Sequence, residues 1–117
     1  MDSQRIQGED YIVQFNADST TVHFKGVLSL SGSPEYAPIS DLLAQITELE
    51  PSAMTLHVRE LEFLNSSGIS MLSKFVLGLR KKPNLNLTIF GSHEIPWQGK
   101  SLKNLERLLP SLTLVFE

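Results

Sequence analysis

The chain predicts a mixed α/β fold, a sheet of about five strands with three helices packed on it, in the order β-β-α-β-α-β-α-β. Two patterns lead to this. Apolar residues recur at spacings of three and four in three segments, which is the stripe of a helix with one buried face. Between those segments lie short runs rich in β-branched and aromatic residues, several of them alternating with polar ones, which is the pattern of strands.

The opening runs Tyr11-Ile12-Val13-Gln14-Phe15 and Thr20-Thr21-Val22-His23-Phe24-Lys25-Gly26 are separated by Asn16-Ala17-Asp18-Ser19 and read as an antiparallel hairpin. Gly26 to Pro34 is small and proline-bearing, so it is expected to cross the surface without helix. From Ala37 to Glu48 the residues Ile39, Leu42, Leu43 and Ile46 form one stripe, continued by Leu49, and Pro38 suits a first turn because its missing N–H would have no helical partner there. Pro51 ends that helix, and Ala53 to Val58 follows as a mostly apolar strand.

The second helix is expected over Ser66 to Arg80, burying Ile69, Leu72, Phe75, Val76 and Leu79. Ser67, Ser70, Met71 and Lys74 then share one exposed or half-exposed flank, since residues three and four apart are helical neighbours. Pro83-Asn84 breaks the pattern, Leu85 to Phe90 alternates into a strand, a short helix spans Lys100 to Leu109, and Leu112 to Phe116 closes the sheet. Strands joined through helices should lie parallel, by right-handed crossovers.

The 117 residues suit a single domain with a hydrophobic core of its own, and 41% apolar with 20% charged residues is ordinary for a globular protein. No apolar run reaches the length of a membrane span, and Met1-Asp2-Ser3-Gln4-Arg5 lacks the order of a secretory signal, so a cytoplasmic location is expected. Without cysteine there is no disulfide or thiolate chemistry. The net charge of −3 is uneven: residues 1–60 hold 3 basic and 9 acidic groups, residues 61–117 hold 7 and 4. An acidic chain with no basic stripe interleaved with aromatics is not expected to bind nucleic acid. No sequence feature calls for a cofactor or metal; His23, His57 and His93 show no local ligand spacing and read as surface or strand-face residues.

The most informative stretch is Leu61-Glu62-Phe63-Leu64-Asn65-Ser66-Ser67-Gly68-Ile69, where a strand-like run breaks into a helix start. Asn65 or Ser66 is a fit N-cap, its side-chain oxygen accepting from a first-turn N–H, and Ser67 then lies within the first turn. Free donors and the positive end of the helix dipole tolerate an anion there, a phosphate ester included. In α/β sheets ligands gather where strands end and helices begin.

The element order together with this turn resembles the STAS domain of anti-sigma factor antagonists. The family carries an Asp-Ser-Ser-Gly turn, matched by Asn65-Ser66-Ser67-Gly68 except for Asn in place of Asp, and its Gly-x-Leu-Asp is similar to Gly26-Val27-Leu28-Ser29. The resemblance implies a partner switch without enzymatic activity. A serine kinase of the anti-sigma type would phosphorylate Ser67, with Ser66 as second choice, a PP2C-type phosphatase would reverse it, and Asn65, Ser66, Gly68, Ser70, Met71 and Lys74 would meet the protein partner. The chain ends at its last strand, without the closing helix many such domains carry, which leaves the partner-facing edge open and allows a homodimer.

Other readings stand beside it. The turn serves equally as a plain helix cap in a structural module that dimerises through its sheet edge or the loop around Trp97. A serine hydrolase would need His57 or His93 as base beside Ser66 or Ser67, and no Gly-x-Ser-x-Gly elbow is present.

Overall fold

In the two opening runs every second residue is apolar, and a computed structural model, which describes residues 2–117, turns Val13, Phe15, Val22 and Phe24 to one side of a sheet where all four are buried. The strands are β1 (Gln4–Gln7), β2 (Tyr11–Asn16), β3 (Thr21–Leu28), β4 (Ala53–Leu64), β5 (Asn86–Gly91) and β6 (Thr113–Phe116). The helices are α1 (Gly32–Glu48), α2 (Ser66–Gly78) and α3 (Pro96–Leu108), with a 3₁₀ turn over Leu79–Lys81 after α2.

The six strands lie in chain order across the sheet. β1, β2 and β3 pair antiparallel; β3 to β6 pair parallel. Each parallel pair is joined through one helix, and α1 packs on α2 and α2 on α3. Crossovers of one hand in one direction place all three helices on the same face. The core lies between: Met54, Leu56, Val58, Leu87 and Ile89 from the sheet meet Ile39, Leu42, Leu43, Ile46, Leu72, Val76, Leu102 and Leu105 from the helices. The other face is uncovered, and its Thr21, His23, Thr55, His57, Thr88 and Phe90 are only half-buried.

The mixed α/β class holds, with one strand beyond the expected five. β1 is polar at three of its four positions and has no alternation to announce it; it exists because β2 offers it an edge, with Ile6 opposite Val13. Helix α1 starts earlier than expected, at Gly32, so Pro34 belongs to the helix instead of a surface crossing. First-turn N–H groups have no helical acceptor, so a proline there loses nothing. The expected strand at Ala53 to Val58 and the run before the serines are one twelve-residue strand, β4. Helix α3 begins at Pro96, which puts Trp97 in its first turn and not in a loop.

Two residues hold the far half of β4. Its ladder to β5 ends at His57 opposite Phe90, leaving later carbonyls without a strand partner on that side. Gln98, fully buried, donates through Nε2 to the carbonyls of Val58 (2.7 Å) and Leu61 (3.0 Å) and accepts from Ser92 N at 2.7 Å. Trp97 Nε1 donates to the Leu61 carbonyl at 2.9 Å. Buried backbone oxygens need such partners, so the start of α3 replaces β5 where the sheet narrows.

Candidate functional site

The C-terminal end of β4 delivers the chain into α2 at Asn65, whose backbone is extended (φ −76°, ψ 174°) as an N-cap requires. Its N–H still pairs with the Leu28 carbonyl at 3.0 Å, continuing the ladder from β3, while its carbonyl accepts from Ile69 N at 2.9 Å, the first helical bond. Both ends of the side-chain amide are engaged. Oδ1 accepts from Gly68 N at 3.0 Å and from the Tyr36 hydroxyl at 2.6 Å, and Nδ2 donates to the Leu30 carbonyl at 2.7 Å. A backbone donor on one side and a backbone acceptor on the other fix which end of the amide points where.

Tyr36 comes from the second turn of α1 and is buried. Its hydroxyl also accepts from Leu30 N at 3.4 Å, so it gives its one proton to Asn65. Burial raises its pKa above the ordinary 10.0, although the bond from Leu30 N pulls the other way. Gly68 is required by the same arrangement: a Cβ there would collide with Leu64 Cδ1 and lie 2.7 Å from Tyr36 Oη. Gly26 has a different reason. Its φ of +90° is open to glycine, and a Cβ would strike the Asp10 carbonyl, which accepts from Val27 N at 2.8 Å. The register with β4 shifts between Gly26 and Val27, and beyond that irregularity the Leu28 carbonyl meets Asn65 N–H.

Asn at position 65 thus has a function that Asp would not fulfil. A carboxylate would set a second oxygen against the Leu30 carbonyl. The amide is matched to this loop.

Ser66 and Ser67 are the first two residues of α2, with Ser66 exposed and Ser67 half-buried. Asn65 caps Gly68, so the N–H groups of Ser66 and Ser67 remain as first-turn donors, and no acidic residue shares that turn. Ser67, Ser70, Met71 and Lys74 do share a flank as expected, and it lines an open cleft of about 400 Å³ between α1 and α2. Ser40 and Asp41 of α1 line the opposite wall, and Tyr36 lies beneath. One expectation is corrected: Met71 is 8% exposed. The neighbouring helix α1 covers the flank that single-helix periodicity leaves open, whereas Ile69 and Phe75, expected inside, are only partly buried.

Neither candidate base lies in this cleft. His57 is in the middle of β4, on the uncovered sheet face, and His93 stacks on Phe116 with ring centroids 5.0 Å apart. Trp97 is turned inward to Leu61, as an anchor and not as a displayed loop residue. Sequence reasoning missed Tyr36 altogether. The one hint was a large aromatic among small residues just ahead of the helix expected from Ala37, with nothing local to say that it reaches 29 residues along the chain.

No protein-family model matches the chain, and no curated protein matches it. Solved structures do. The apo form of SiaC from Pseudomonas aeruginosa superposes with a TM-score of 0.74 at 10% identity, over 100% of this chain and 99% of that one. The fold is shared with SiaC. A second structure of that protein gives 0.69 at 14% identity, over 99% of this chain and 96% of that one. A chain in the crystal structure of the diguanylate cyclase SiaD in complex with its activator SiaC, also from P. aeruginosa, gives 0.73 at 13% identity, over 97% of each. At 10–14% identity the likeness is one of architecture. No helix among the described residues is long and apolar enough to cross a membrane.

Proposed function

We propose that this chain is a STAS-like regulatory domain, not an enzyme, that binds a protein partner through the surface from Asn65 to Lys74 and is controlled by phosphorylation of Ser67. The observation that carries this reading is the serine turn itself. Ser67 lies in the first turn of a helix whose cap is fixed independently of it by Asn65, Tyr36 and Leu30. A phosphoryl group adds about −1.5 to −2 charges where free N–H groups and the helix dipole accommodate them, so the fold tolerates the modification while a docked partner does not. Lys74 and Ser70 extend the same flank for contact. The reading also includes a serine kinase and a PP2C-type phosphatase acting in turn on Ser67, in the cytoplasm.

The partner is a protein, and the SiaC complex makes a diguanylate cyclase the first to test. Titration of the unmodified and the Ser67-phosphorylated chain against such a cyclase is the experiment, with intact-mass measurement of the chain from its native cell. Tight binding of the unmodified form, weaker binding of the phosphorylated form and a phosphate found on Ser67 support the reading. Equal binding by both forms, or no phosphate under any growth condition, removes the switch.

The alternative, a module that dimerises without phosphorylation, draws on one observation: β1 and β6 are edge strands. Light scattering at micromolar concentration tests it, since a monomer ends that reading.

A further inference from the structure

The three histidines have no spacing in sequence, but the sheet brings two of them together. His23 on β3 and His57 on β4 are partners in the parallel register, on the uncovered face, with ring centroids 4.7 Å apart and planes tilted by 32°. We propose that His23 and His57 form a two-imidazole site for a late first-row divalent ion, of the class of Ni²⁺, Cu²⁺ or Zn²⁺, with its remaining coordination positions open to solvent. This inference is independent of the phosphorylation reading.

The geometry is suitable. Strands about 4.8 Å apart set the two side chains parallel on one face. Two metal–nitrogen bonds of about 2.0–2.1 Å need ring nitrogens about 3.3 Å apart at a tetrahedral angle, within reach of rotation about the two χ2 bonds. Both rings are half-buried, so solvent and ions reach them while the backbone ladder holds their spacing.

The charges around the pair also permit it. Lys25 on β3 and Arg59 on β4 are the nearby cations, and each has its own carboxylate: Lys25 Nζ lies 3.7 Å from Glu60 Oε2, and Arg59 Nη2 lies 2.7 Å from Glu117 Oε1. Arg59 is further occupied by the Phe90 ring, 5.0 Å from its centroid. β2 contributes Gln14 beside His23, and β5 contributes Phe90 beside His57; neither is charged. Among the described residues no group of three or more His, Cys, Asp or Glu side chains converges, so the protein supplies two ligands only. Imidazole with open positions favours the late divalent ions over magnesium or calcium.

A bound ion would tie β3 to β4, the two strands whose far ends carry Leu28 and Asn65, and it would stabilise the fold by mass action.

The test is calorimetric titration of Ni²⁺ into the tag-free chain at pH 7.5, alongside His23→Asn, His57→Asn and His93→Asn. The expected result is one ion per chain, bound at least about tenfold more weakly by either of the first two variants, because each loses the high effective concentration of a second ligand, and unchanged by the third. No binding by the unaltered chain, or binding that survives His23→Asn and His57→Asn, overturns the proposal. A measurement on the unaltered chain guards against misfolded variants: substoichiometric Cu²⁺ should broaden the imidazole proton resonances of His23 and His57 selectively. Broadening confined to His93 overturns the assignment equally.

Discussion

The hydroxyl of Tyr36 donates to Asn65 Oδ1 at 2.6 Å, so a residue inside the first helix fixes the cap of the second. The Leu30 backbone closes the arrangement from both directions, its N–H donating to Tyr36 and its carbonyl accepting from Asn65. The start of α2 is therefore held by partners outside α2, which is what a surface needs if it is to change charge without changing shape.

Substitutions in this triangle should destabilise unequally. Tyr36→Phe removes one buried hydroxyl and leaves Oδ1 with its Gly68 bond, a loss of about 1 kcal/mol. Asn65→Asp places a carboxylate oxygen against the Leu30 carbonyl and should lose about 1–3 kcal/mol, even after the helix dipole returns a few tenths. Urea denaturation reads both, and an Asn65→Asp variant as stable as the parent would show that the amide donor is dispensable. Tyr36 raises a spectroscopic expectation too: its phenol should ionise above the ordinary 10.0, and the late step in the alkaline absorbance titration should vanish in Tyr36→Phe.

Ser67→Asp and Ser67→Ala separate charge from shape. Both should keep the fold, because Ser67 makes no bond that holds the cap. If the proposed switch operates, Ser67→Asp should weaken the partner complex by roughly one to two powers of ten, about 1.4–2.8 kcal/mol, while Ser67→Ala should bind as the unmodified chain and no longer respond to kinase. Equal affinities for the two variants, measured by calorimetry, would remove Ser67 from the switch.

Gln98→Leu is expected to be among the more damaging single changes outside the apolar core. It keeps the volume but leaves the Val58 carbonyl and Ser92 N–H without their partner, and Leu61 with only Trp97. Buried unsatisfied groups lose about 1–3 kcal/mol each, so the midpoint of thermal unfolding should fall by several degrees. Circular dichroism checks it, and a shift within error would mean that water enters to replace the amide.

The His57 pKa is lowered in the folded chain from its ordinary 6.5, with burial as the main cause. The unfolded chain then binds the proton more readily. This contribution to stability is present above about pH 6.5 and is lost as pH falls through the lowered value of the folded state. Without added metal, the unfolding temperature should drop between pH 7.5 and 5.5, and His57→Gln should reduce that drop. An unchanged pH dependence would place its origin elsewhere.

What the sequence by itself determined is local. Alternation at Val13, Phe15, Val22 and Phe24 marked strands, spacing at Ile39, Leu42, Leu43 and Ile46 marked a helix, and Asn65-Ser66 marked a cap at one of two residues, because each depends on neighbours within a few residues. The tertiary structure alone decided the rest. It added β1, whose polar sequence pairs only because β2 has a free edge, and it covered Met71 with α1. It brought His23 beside His57, and it joined Asn65 to Leu30 and Tyr36 across 35 and 29 residues. Periodicity records which face of an element is apolar. Which atoms meet that face, and what the amide at position 65 bonds to, is settled only when distant segments pack and their donors and acceptors must be satisfied.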